Sequence, residues 1–224
     1  MHIEPGIVHG AKMVLAYGTA AAAAGYSIKL IADELKTRAA ASLIARSVAA
    51  TLAVFIFFEL LPHFPVGVSE VHFILGTTLL LILGTAPAAV GLAAALAIQG
   101  MFFAPTDLPM YFVNVTTLLM PLFLIHAMAR KVLPQDVAYV DLGYGDVLKL
   151  SFAYQGGVVA WVAFWALYGQ GVTAETFASV GTFGVAYMLV VLVEPIFDLA
   201  VLAGAKAIKG RDSGLVTNRL YHAA

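Results

Sequence analysis

Long apolar runs separated by short polar breaks dominate this chain. Seven of them approach the roughly 20 residues that a helix needs to cross hydrocarbon. They fall at 11–31, 42–61, 71–86, 88–103, 111–129, 147–168 and 177–205. The third and fourth are short and are divided by Gly84-Thr85-Ala86-Pro87, so they also read as one broken hairpin. No internal repeat divides the chain, and its only compositional bias is a set of alanine-rich stretches. Residues 1–224 therefore read as a single transmembrane domain. The pattern predicts an all-α integral membrane protein of about seven transmembrane helices.

Composition agrees with that pattern. Hydrophobic residues make up 62% of the chain and charged residues only 11%, where a soluble domain carries roughly a quarter charged. The lipid bilayer is thus the solvent for much of the surface. The near-neutral balance, 12 Lys+Arg against 13 Asp+Glu, gives no reason to expect a nucleic-acid partner. With zero cysteines there is no disulfide or thiolate site, and metal chemistry must use nitrogen and oxygen ligands.

The basic residues set an orientation. In a seven-span layout Lys29, Lys36, Arg38, Arg46, Arg130, Lys131, Lys149, Lys206, Lys209, Arg211 and Arg219 fall on one side and only Lys12 on the other. The positive-inside rule then predicts the N-terminus outside the cell membrane and the C-terminus in the cytoplasm. The opening Met1-His2-Ile3-Glu4-Pro5-Gly6 is polar and turn-like, without the basic and apolar regions of a signal peptide. Met1 is accordingly expected to be the mature terminus.

That expectation gives His2 a chemistry. A free α-amine, the next backbone amide and a histidine side chain form a tridentate nitrogen chelator, with one five-membered and one six-membered ring through imidazole Nδ1. One further imidazole completes a planar four-nitrogen set, which suits Ni(II) or Cu(II). The plain alternative is a polar start that frays in water. Candidates for the fourth nitrogen are His72, His63 and His9. His72 opens the predicted third span, where a helix end would hold it rigidly. His63 lies four residues beyond Glu59 and reads as a surface contact, while His9 either caps the site or sits among the headgroups.

Here the chain resembles a known family. Met1-His2-Ile3, the mid-chain Gly67-x-Ser69-x-x-His72-x-x-x-Gly76, then Gln99-Gly100-x-Phe102-Phe103 and Asn114 look like the CbiM/NikM family. These are the substrate-specific membrane subunits of energy-coupling-factor (ECF) ABC transporters for cobalt and nickel. The likeness runs in order from residue 1 to about 120, and Glu194 in Val193-Glu194-Pro195-Ile196 is similar to a glutamate in that region of the family. The resemblance implies that the substrate metal, Ni(II) or Co(II), is held by the terminal amine, the second amide and imidazole, and the glycine-motif histidine, matching Met1, His2 and His72. It implies a separate transmembrane coupling subunit and ATPase subunits as partners, in the cytoplasmic membrane. Two segments depart from the pattern: Glu70-Val71 stands where small or hydroxyl residues are usual, and Ala104-Pro105-Thr106-Asp107 replaces a glycine-rich run. Such changes bear on metal preference and on closure of the site.

Other polar and small residues fit around this reading. Ser69, Gln99 and Asn114 are candidates to orient an imidazole from behind. Ala16, Ala20 and Ala24, spaced by four on the first span, allow close helix approach, either within the chain or, as the resemblance implies, to the coupling subunit. Glu194 and Asp198 lie deep in the last span, where a carboxylate needs a partner or a role. They read as structural anchors or as transport residues. His126 and Arg130 reach the cytoplasmic headgroups by snorkelling. The chain has no Gly-x-x-x-x-Gly-Lys-Ser/Thr loop for ATP and no His-Glu-x-x-His for a metalloprotease, and is read as a non-enzymatic transport component with no permanently bound cofactor. A stand-alone carrier or channel is the alternative, although few spans carry ionisable residues.

Overall fold

The computed structural model describes residues 2–131, 133–208 and 214–223. Helices α1 (Met13–Leu35), α2 (Ala40–Phe55), α4 (Thr85–Phe102), α5 (Tyr111–Lys131), α6 (Tyr144–Gln170) and α7 (Ala174–Ala207) pack into one bundle. With their short flanking turns, all six are long and apolar enough to cross a membrane. A wider π turn, Ile56–Leu60, continues α2.

The third predicted span takes a different form. Residues 64–71 make a hairpin of β1 (Phe64–Val66) and β2 (Ser69–Val71), and only Gly76–Leu83 are helical, as α3. Gly67, at φ 62° in the first turn position, supplies the backbone that such a two-residue hairpin requires. The non-helical stretch 72–75 plus eight-residue α3 reaches at most roughly 25 Å, against roughly 30 Å of hydrocarbon. The segment therefore still carries the chain from one end of the bundle to the other, and the helices after it keep the sidedness of a seven-crossing layout.

Non-helical backbone at membrane depth must find its partners inside the protein. Residues 74–78 find theirs on α7. Glu194 accepts from the Ile74 and Leu75 amides, and Asp198 from the Thr78 amide (3.0 Å) and hydroxyl (2.6 Å). Gln155 donates to the second oxygen of Glu194 and Ser151 to that of Asp198. Leu75 sits in the left-handed region (φ 56°, ψ 37°), held there by the Glu194 contact at 3.1 Å. Both carboxylates are thus tied to the α3 entry, which is their anchoring role.

The two ends of the bundle differ in chemistry. At one end Arg46, fully buried, pairs with Glu34 and donates to the Leu83 carbonyl, while Arg38 and Arg219 bind backbone carbonyls of 216 and 134. At the other end Lys12 donates to the Gly169 carbonyl at 2.7 Å, and the N-terminal residues meet the hairpin. Of the basic residues read from the sequence, Lys209 and Arg211 lie outside the described residues.

Candidate metal centre

The site is built on the N-terminal strand. The His2 carbonyl accepts from the Glu70 amide (2.9 Å) and the Ser69 hydroxyl (2.9 Å), the Glu4 amide donates to the Val68 carbonyl (3.2 Å), and Ile3 bridges to Ser69. The Ile3 amide turns the other way, onto Asn114 Oδ1 at 2.8 Å. Residues 2–4 thereby act as a third strand on the hairpin instead of fraying. Ile3 is fully buried and His2 is 3% exposed. Beyond them Gly169 makes room for the chain, since a Cβ there would overlap the Ile7 carbonyl.

This docking brings His2 to His72, with ring centroids 5.5 Å apart. Phe58, from the π turn, walls both rings, with centroids 6.1 Å from His2 and 4.6 Å from His72. A widened turn is a common device for aiming a side chain at a functional site. His72 lies in the extended segment before α3 and not on a helix end, and its Nδ1 is 3.4 Å from the Phe73 carbonyl. Gly76 completes the motif, because any Cβ there would fall within the Tyr154 ring. The fixed positions of Gly67-x-Ser69-x-x-His72-x-x-x-Gly76 therefore act as turn, strand tie, site histidine and close contact.

Two carboxylates join the histidines. Glu70 Oε2 lies 2.9 Å from His2 Nδ1 and Asp107 Oδ2 lies 3.6 Å from it. Donor atoms of His2, Glu70 and His72 all fall within 4.8 Å of one another, close enough to share one ion. Burial pushes the His2 imidazole down, against the pull of its Glu70 contact. Burial opposes ionisation of Glu70, but the hydrogen bond and charge of His2 bring it below its ordinary value. Asp107 is raised by burial, and the neighbouring Glu70 charge adds to this. Glu4 is raised in the same way, by burial first and then by Glu70 and Asp107. The pocket is crowded with negative charge around two nearly dry imidazoles, an environment that favours a cation.

The remaining predicted residues divide. Met1 lies outside the described residues. Ser69 and Asn114 are at the site, but both hold the N-terminal backbone and neither orients an imidazole. Gln99 donates to Glu59 (3.1 Å), the neighbour of Phe58 in the π turn. His63, with Nδ1 3.3 Å from the Leu61 carbonyl, and exposed His9, bonded to the Gly6 carbonyl at 3.1 Å, are outside the cluster. Ala16 and Ala20 are buried by the chain's own helices, so for these two the stripe is an internal contact. Ala24 is exposed, in a groove of about 610 Å3 between α1, α4 and α5. Sequence reasoning missed Glu70 and Asp107 as site residues, although both sit in the segments that depart from the family pattern.

Sequence comparison with curated proteins finds no match. A solved structure of a truncated transition-metal transporter superposes with a TM-score of 0.65, at 17% identity, over 90% of this chain and 94% of that one, so the two share a fold. The model of the CbiM family, described as the cobalt uptake substrate-specific transmembrane region, matches residues 2–211, and the chain belongs to that family.

Proposed function

We propose that this protein is the substrate-binding component of an ECF-type ABC importer and captures Ni(II) or Co(II) at an N-terminal nitrogen chelate. The ligands are the Met1 amine, the His2 amide and imidazole, and the His72 imidazole. One observation carries the reading: His2, on a strand tied by backbone hydrogen bonds to the hairpin, packs in a nearly dry pocket against His72. Burying two imidazoles beside carboxylates is costly without a cation to share, and nitrogen-rich sites suit these two metals. The site end carries Lys12 and the opposite end Arg38, Arg46 and Arg219. That asymmetry supports a cytoplasmic membrane location with the site facing outward. A coupling subunit and ATPase subunits supply the work of release, and Ala24 is the part of the alanine stripe open to such a partner.

The test is calorimetric titration of Ni(II) and Co(II) into the purified chain, beside a variant form whose terminal α-amine is acetylated. Acetylation keeps every side chain but removes the amine nitrogen from the chelate. Tight binding by the native chain with a large loss in the variant is the expected result. Equal binding by both, or by neither, removes the terminal chelate.

A further inference from the structure

Among the described residues, Glu70 is the acidic side chain whose oxygen converges with donor atoms of both His2 and His72. Its Oε2 stands 2.9 Å from His2 Nδ1, the ring nitrogen that closes the proposed chelate. Two donors bound at right angles to one ion, with bonds of about 2.0–2.1 Å, lie about 2.9 Å apart. The separation already equals that of neighbouring ligands. Glu70 follows Ser69 in β2, so its backbone position is fixed by the same ties that hold His2, and its amide donates to the His2 carbonyl. Asp107 Oδ2 lies 3.6 Å from the same nitrogen but is not among the donors that converge with both histidines.

We propose that Glu70 is a direct ligand of the transported metal, adding a carboxylate oxygen to the nitrogen set and raising its coordination number above four. This rests on the N-terminal chelate proposed above and deepens it. On metal entry the ion takes the place of the proton shared by His2 Nδ1 and Glu70 Oε2; that proton, the His2 amide proton and one proton of the terminal ammonium leave to water. The divalent ion, one deprotonated amide and one carboxylate together sum to zero charge, as a pocket this dry demands. The consequence is selectivity. A planar four-nitrogen site favours Ni(II) and Cu(II), whereas added oxygen ligation suits Co(II) and six-coordinate Ni(II). Asp107 stays outside the bonded set and acts as an acidic neighbour at the approach to it.

The experiment compares the full-length protein with Glu70→Gln and with Asp107→Asn, each titrated separately with Ni(II) and Co(II). Coordination is read by X-ray absorption and by the magnetic susceptibility of the Ni(II) form. The native Ni(II) complex is expected to be paramagnetic with five or six ligands. Glu70→Gln should turn it diamagnetic and four-coordinate and weaken Co(II) by about tenfold or more, at least what losing an outer partner of a ligand costs. Ni(II) should weaken less, and Asp107→Asn should keep the native coordination. A diamagnetic, four-coordinate native complex overturns the proposal without need of any variant. So does a Glu70→Gln protein with native spectra and affinities. Either result leaves the terminal chelate standing, whereas absence of binding by the native chain overturns both.

Discussion

Removing the Asn114 side chain isolates what holds the N-terminal strand in place. Asn114 is 1% exposed, and its Oδ1 is the acceptor for the Ile3 amide at 2.8 Å. Asn114→Ala leaves that amide buried without an acceptor, which costs about 1–3 kcal/mol. The rest of the strand's ties, to Val68, Ser69 and Glu70, stay in place. The cost therefore falls on docking of residues 2–4 more than on the helical bundle. If docking is needed to form the site, apparent metal affinity falls by the fraction of docked chains, to a limit of about 5–150-fold. Ser69→Ala is the matched control. The His2 carbonyl that loses the Ser69 hydroxyl still accepts from the Glu70 amide, so its cost is about 0.5–1.5 kcal/mol, that of one ordinary hydrogen bond. Hydrogen exchange of the N-terminal peptide, measured with metal titration, reads both quantities. Asn114→Ala should lose more protection and more affinity than Ser69→Ala. Unchanged exchange and affinity in Asn114→Ala, or the reverse ranking, would refute the reasoning.

Two further predictions concern the frame of the site. Gly76→Ala forces a methyl into the Tyr154 ring and should destabilise the protein by about 1–3 kcal/mol, as overpacking does; a thermal melt in detergent equal to the native one would contradict this. Arg46→Met leaves Glu34 without its guanidinium partner at the opposite end of the bundle, at a cost of about 3–5 kcal/mol for a broken buried pair. The double change Arg46→Met with Glu34→Gln should recover much of that melting temperature, and no recovery would show that the pair is not the source of the loss.

Much of this architecture is legible in the hydrophobic pattern, and the exceptions have physical causes. Six runs become membrane-length helices because each is apolar throughout and long enough. The run 71–86 is equally apolar, but hydropathy does not distinguish a helix from a buried extended segment. Phe64-Pro65-Val66-Gly67-Val68-Ser69 held the better signal, with alternation and a turn glycine that mark a hairpin. His2 is singled out by its chemistry near the terminus, while His72 is one of three candidate histidines until the family resemblance selects it. Glu70 and Asp107 are not, because their meeting with His2 depends on contacts 68 residues and more away along the chain. Asn114 is identified as a polar residue in an apolar run, yet its partner, a backbone amide at the terminus, has no trace in the pattern. Glu59 is likewise read beside His63, whereas the fold gives it Gln99.

The docked N-terminal strand also says something about the order in which this protein matures. Residues 2–4 are made well before their partners: the Ser69 hydroxyl that binds His2 lies 67 residues later and the Asn114 oxygen that binds Ile3 lies 111 residues later. Contacts so distant in sequence form only after the intervening loop has been closed. The opening residues must therefore wait in water while the hairpin and the next two helices are threaded into the bilayer. They then return to fill a seat prepared by segments made long after them. The pocket is in this sense a late joint of the molecule, and a chain halted before α5 lacks the acceptor for its Ile3 amide.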